Sequence, residues 1–78
     1  IIRCATCEIT SIDYLGGGME VRYNTASVET DIIELTGVTV TSVTAEGAGV
    51  AVRGHDEGVT LTIRHEHGRT GGKLTIYY

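Results

Sequence analysis

Two short spacings in this 78-residue chain are of the kind that carries chemistry. The first is Cys4-Ala5-Thr6-Cys7, a CxxC followed by Glu8. Covalent haem attachment needs a His directly after the second Cys, and Glu8 stands there instead. A thioredoxin-like redox pair needs a βαβ setting and a helix N-terminus to lower a thiol pKa, and neither is in view. A disulfide between Cys4 and Cys7 requires a turn that brings their Cα atoms within about 7 Å, which a straight strand does not allow. Such a bond would close a very small loop and constrain little. The other chemical option is half of a zinc knuckle.

The second spacing is His65-Glu66-His67. Two residues apart on a strand, both imidazoles project from one face, a geometry that suits two ligands of one metal ion. Joined with the CxxC it defines a zinc reading with the ligand set Cys4, Cys7, His65 and His67. The competing and preferred reading is a strand that runs past the edge of the core and leaves both rings half exposed beside a loop. No cofactor is then needed. His55, in Gly54-His55-Asp56-Glu57-Gly58, reads as a solvated turn residue, and two carboxylates in a turn fall far short of a calcium cage.

Other constellations are poorer. Ser11, Ser27 and Ser42 lie in no nucleophile-elbow context. Gly16-Gly17-Gly18 lacks the strand-to-helix setting and the Lys of a phosphate loop, and reads as a hairpin turn. The expectation is a chain that is not an enzyme.

The elements that would position these residues follow from composition. Thr, Val and Ile supply 12, 8 and 8 residues, so more than a third of the chain is β-branched and suited to a pleated, half-buried surface. Eleven Gly provide turns, and Pro, Trp and Phe are absent. A helical bundle is excluded. Six basic against ten acidic residues leave a net charge of −4, which argues against a nucleic-acid partner. No apolar run approaches the ~18–20 residues of a membrane span, so membrane insertion is not expected. The chain has no initiating Met, which reads as a processed or cut end.

Alternation places Val59, Leu61 and Ile63 on one strand face, and Leu74, Ile76 and Tyr78 on another. With the turn cluster Gly68 to Gly72 between them, the two segments read as a hairpin pairing His65 with Leu74 and Ile63 with Ile76. A second hairpin is expected between Val38–Val40 and Val50–Val52, with a bulge near Ser42. Met19, Val21 and Tyr23 alternate after the glycine turn. The segment Cys7 to Leu15 is extended, with Ile9 and Ile12 out of phase. Residues 25–36 fit either one short helix or a loop followed by the strand Ile32 to Leu35, and the strand is preferred.

The sum is a single all-β domain spanning 1–78, its segment 1–8 an extended arm. Six or seven short strands form an antiparallel β-sandwich, broadly Ig-like, with a Greek-key β-barrel as the alternative. A core this small gains from a crosslink, a metal or self-association. The functional expectation is a structural and interaction module of an extracellular, cell-surface or virion-surface assembly, forming filaments or other homo-oligomers with copies of itself or adjacent domains. Ile1, Ile2, Tyr77 and Tyr78 are the candidate contact residues. Two Cys in so small a domain favour an oxidising compartment.

Overall fold

Eight strands account for most of the computed structural model, which describes residues 2–25, 29–66 and 70–78, with Cys4 described in its backbone alone. In chain order they are β1 (Ile2–Ala5), β2 (Glu8–Leu15), β3 (Gly18–Asn24), β4 (Thr30–Leu35), β5 (Ser42–Ala45), β6 (Ala48–His55), β7 (Gly58–His65) and β8 (Gly71–Tyr77). They form two antiparallel four-stranded sheets, one in the order β1-β4-β7-β6 and the other β2-β3-β8-β5. Two separate sheets make this a sandwich rather than a barrel. Among the described residues the strand count is eight rather than six or seven. Within 25–36, residues 30–35 form β4, which extends the expected strand Ile32 to Leu35 by two residues, and residues 26–28 lie outside the described residues.

The core is the set of inward side chains that alternation requires. Met19, Val21 and Tyr23 of β3 meet Ile33 and Leu35 of β4, Val59, Leu61 and Ile63 of β7, and Leu74 and Ile76 of β8. Burying an aliphatic or aromatic side chain of this size contributes about 1.5–3 kcal/mol. The four central strands supply the whole of this cluster. The edge strands add a partly buried rim that includes Ile2, Ile9, Val43 and Val50.

Two expected pairings are corrected. β7 and β8 are not a hairpin: β7 lies between β4 and β6, and β8 lies between β3 and β5 in the facing sheet. His65 pairs with Ala48 and Leu74 pairs with Val21, so the chain arches from one sheet to the other. The second expected hairpin likewise splits. The turn at Glu46-Gly47 joins β5 to β6, but β5 pairs with β8 and β6 with β7. Val38 and Val40 precede β5 and pack against the core without joining a strand.

The first segment is part of the sandwich. Ile2–Ala5 pairs with β4, so residues 2–5 of the expected arm form an edge strand. Arg3 also reaches Glu57 at the tip of the β6–β7 hairpin, 3.4 Å away. The irregular spacing of Ile9 and Ile12 has a physical origin: the register of β2 against β3 shifts between Ile9 and Ser11. Ile9 therefore faces Tyr23 and Ile12 faces Val21.

Candidate functional site

Asp31 is an aspartate on an apolar face. It stands in phase with Ile33 and Leu35 on β4, so its carboxylate is turned into the core, where the residue is 2% exposed. His65 is the last residue of β7, in phase with Leu61 and Ile63, and its side chain is equally buried. β4 and β7 are neighbours, and the His65 N–H donates to the Glu29 carbonyl just before β4. The imidazole consequently lies against the carboxylate, with His65 Nε2 2.8 Å from Asp31 Oδ2.

The facing sheet and the β1–β2 crossing complete a buried network. Tyr23 of β3 brings its hydroxyl 3.4 Å from His65 Nδ1, with the two rings tilted at 45°. At the crossing, the Thr6 hydroxyl donates to Asp31 Oδ1 at 2.6 Å. Thr6 is held for that contact by two bonds to β4: its N–H donates to the Ile32 carbonyl, and the Ile32 N–H donates to Thr6 Oγ1, each at 2.9 Å. Thr25, also buried, completes the surround of the carboxylate. Its Oγ1 makes no well-formed hydrogen bond among the described residues, yet it lies close enough to help hold Asp31 ionised.

The electrostatics are set by opposing effects. Burial raises the Asp31 pKa, and the hydroxyls of Thr25 and Thr6 together with His65 outweigh it, holding the carboxyl below its ordinary value of 3.8. A carboxylate only accepts, so Nε2 of His65 carries the hydrogen between them. In a neutral ring Nδ1 is then the acceptor for the Tyr23 hydroxyl. Both ring nitrogens are engaged. An Asp–His–Tyr relay resembles an acid–base set in outline, but its atoms face one another inside the core. Its chemistry is that of a polar tie between the two sheets.

The sequence candidates are dispersed around this network. Cys7 is half buried with a free thiol, whose pKa is raised by burial and then by the negative charge of Asp31. Such a thiol is a poor nucleophile. The side chain of Cys4 lies outside the described residues, and with it the proposed Cys4–Cys7 disulfide. His67 also lies outside them. Among the described residues no group of three or more His, Cys, Asp or Glu is arranged to hold a metal. Ligation of zinc by His65 would require it to give up Asp31 or Tyr23. His55 is exposed at the end of β6, its Nε2 3.1 Å from Thr60 Oγ1.

The contact candidates are equally clear in position. Ile1 lies outside the described residues. Ile2 opposes Leu35 and is partly buried against the core. Tyr77 is exposed, whereas Tyr78 packs on the core and donates its backbone N–H to the Gly17 carbonyl. Tyr77 closes β8, whose backbone pairs with β3 and β5, so its side chain remains for a partner, and Tyr78 follows the strand.

Sequence reasoning missed Asp31, and with it the role of Tyr23 and Thr6. The signal was present in Asp31-Ile32-Ile33-Glu34-Leu35, where one polar residue shares the parity of two core residues. The surface grooves among the described residues are open. One of about 340 Å³ lies over Thr6, Cys7 and Thr25, and one of about 360 Å³ separates residues 37–39 from the β6–β7 turn. No helix among the described residues is long and apolar enough to cross a membrane. Comparison with protein-family models, with curated proteins and with solved structures finds no match to this chain.

Proposed function

We propose that this chain is a non-catalytic structural and interaction module, an Ig-like β-sandwich that works in an extracellular or virion-surface assembly by associating with copies of itself or with adjacent domains. The observation that carries the reading is the strand inventory: β1, β6, β2 and β5 each end a sheet, and each has one side without a hydrogen-bonded strand among the described residues. Unpaired edges are templates for addition of another strand.

Three further features support it. Among the described residues the Asp31–His65 pair is sealed in the core, and burial raises the pKa of the Cys7 thiol beside it. The net charge of −4 disfavours nucleic acid as the partner. Six of the eight strands can be laid on the Ig plan, in which strands A-B-E-D face C-F-G, and this supports the reading. β1, β4, β7 and β6 occupy the positions of A, B, E and D, and β5 and β8 those of C and F. The place beside F that strand G would fill is taken by β3, from earlier in the chain.

Sedimentation equilibrium of the 78-residue chain from about 10 µM to about 1 mM tests the reading. A mass that rises with concentration toward a dimer or larger species is expected. A monomer across the whole range would overturn it.

A further inference from the structure

The four free edges are not equivalent. β1 has four residues, with a register shift between Ile2 and Cys4, and β5 also has only four. β2 is longer, but it carries a bulge between Ile9 and Ser11 and the charges of Glu8 and Asp13. Short strands, bulges and charges are the usual protections of an edge. β6 has none of the three at full strength. It runs eight residues, Ala48-Gly49-Val50-Ala51-Val52-Arg53-Gly54-His55, in unbroken one-to-one register with β7 and without an acidic side chain.

Its hydrogen-bonding direction follows from the turn. His55 opposes Gly58 across the two-residue turn Asp56-Glu57, so this closing pair is hydrogen-bonded and the pattern alternates from there. The bond from the Glu66 N–H to the Gly47 carbonyl continues the same alternation at the far end. Gly49, Ala51 and Arg53 therefore bond to β7, while the N–H and C=O groups of Ala48, Val50, Val52 and Gly54 point to the open side. Those same residues share the inner-face parity, and Val52 is 48% exposed because the shorter β5 covers only part of the strand.

We infer that β6 pairs antiparallel with β6 of a second copy, about a two-fold axis passing through Ala51. This deepens the self-association proposed above and rests on it. The second copy is favoured because the strand is complementary to itself. A two-fold axis normal to the sheet keeps the inner faces together, and the register centred on Ala51 brings every outward-pointing group into use. Ala48 then opposes Gly54 of the second copy, and Val50 opposes Val52, each pair exchanging two hydrogen bonds. The exposed Val52 gains an apolar neighbour. On the outer face Arg53 opposes Gly49, above which nothing lies within 4 Å of a notional Cβ.

The shallow groove of about 320 Å³ lined by Gly49, Val50, Ala51, Thr62 and Arg64 receives the aliphatic stem of that Arg53. Arg64 at the groove's rim is a like charge, and the guanidinium of Arg53 stays solvated there. The result is a continuous eight-stranded sheet through two sandwiches, closed by an isologous contact. Pairing one strand gives a contact smaller than the standard ~800 Å² per partner, so the association is weak and concentration-dependent.

The test uses the full chain with Ala51→Cys and, as comparison, Thr44→Cys on the edge strand β5. Cysteines directly opposite in a non-hydrogen-bonded pair have Cα atoms about 4.5 Å apart, within disulfide range. After mild oxidation at about 1 mM, Ala51→Cys should give a covalent dimer at least roughly tenfold above both Thr44→Cys and the unsubstituted chain. Val52→Pro removes an outward N–H that β7 does not use, and should abolish association with the β circular-dichroism signal retained. Equal crosslinking of Ala51→Cys and Thr44→Cys, or a folded Val52→Pro that still dimerises, overturns the β6 contact and leaves association through another edge. A chain that is monomeric at about 1 mM overturns both proposals together.

Discussion

Replacing Asp31 by Asn perturbs the polar tie at its centre while keeping its shape. The native carboxylate accepts from the Thr6 hydroxyl at 2.6 Å and from His65 Nε2 at 2.8 Å, in a residue 2% exposed. An amide oxygen still serves Thr6, but its NH₂ then faces the Nε2–H of His65. The ring must switch tautomer, and the Tyr23 hydroxyl must become an acceptor. Charge-assisted hydrogen bonds of this kind contribute about 1.5–3 kcal/mol, so a loss of about 2 kcal/mol is expected at pH 7. That is a large fraction of the roughly 4–12 kcal/mol typical for 78 residues, and corresponds to a fall in Tm of roughly 8–16 °C.

Urea denaturation at a series of pH values separates this account from a simple packing effect. Because Asp31 is held below 3.8 in the folded chain, the unfolded chain binds the proton more readily. Its contribution is therefore present above the unfolded pKa and lost as pH falls through the folded one. Asp31→Asn should be the less stable form at pH 7, with the gap to the native chain closing as pH drops below about 4. Other carboxylates titrate in the same range, so the difference between the two proteins is the quantity to follow. A variant within about 0.5 kcal/mol of the native chain at pH 7, with a parallel acid limb, would refute the reasoning.

Thiol labelling gives an independent view of the same charge: in a Cys4→Ser background, Cys7 should react more slowly at pH 8 than an unfolded control, and Asp31→Asn should speed it by removing the second cause of its raised pKa. Gly58→Ala should cost more than about 3 kcal/mol in chemical denaturation, because φ is +154° and the added Cβ would strike the Leu35 carbonyl, whereas Gly49→Ala, with open space above it, should stay within about 0.5 kcal/mol. Tyr23→Phe should lower stability by about 1 kcal/mol or less, since its bond to His65 is long at 3.4 Å, and a larger loss would mean the hydroxyl carries more of the tie than this contact. EDTA should leave the melting temperature unchanged, while a chelator-induced collapse would restore the zinc reading for Cys4, Cys7, His65 and His67.

Alternation marked much of the core. Val59, Leu61 and Ile63, then Leu74, Ile76 and Tyr78, were placed on shared faces by parity. The first five are core residues, and Tyr78 packs partly buried against them. Met19, Val21 and Tyr23, read only as alternating, are core residues as well. The all-β class and the glycine turn before β3 were equally legible, because β-branched content and turn chemistry act within a few residues. Even the irregularity of Ile9 and Ile12 was visible as a break in phase, and it is a bulge.

Strand partnership was decided only in three dimensions. In a sandwich the inner faces of both sheets point at one core, so β7 and β8 show the same apolar stripe whether they pair side by side or pack face to face. Parity constrains the register of a hairpin but does not establish that one exists. The same limit hid the polar tie. Asp31 and His65 each appear in the sequence as one polar residue at the end of an apolar face, 34 positions apart. Their stabilising contact exists only because β4 lies beside β7, with Tyr23 supplied from the facing sheet and Thr6 from the crossing between sheets. Charge and hydrogen-bonding capacity are properties of the residues, whereas satisfaction of a buried charge is a property of its neighbours, and those named here come from three elements other than its own strand.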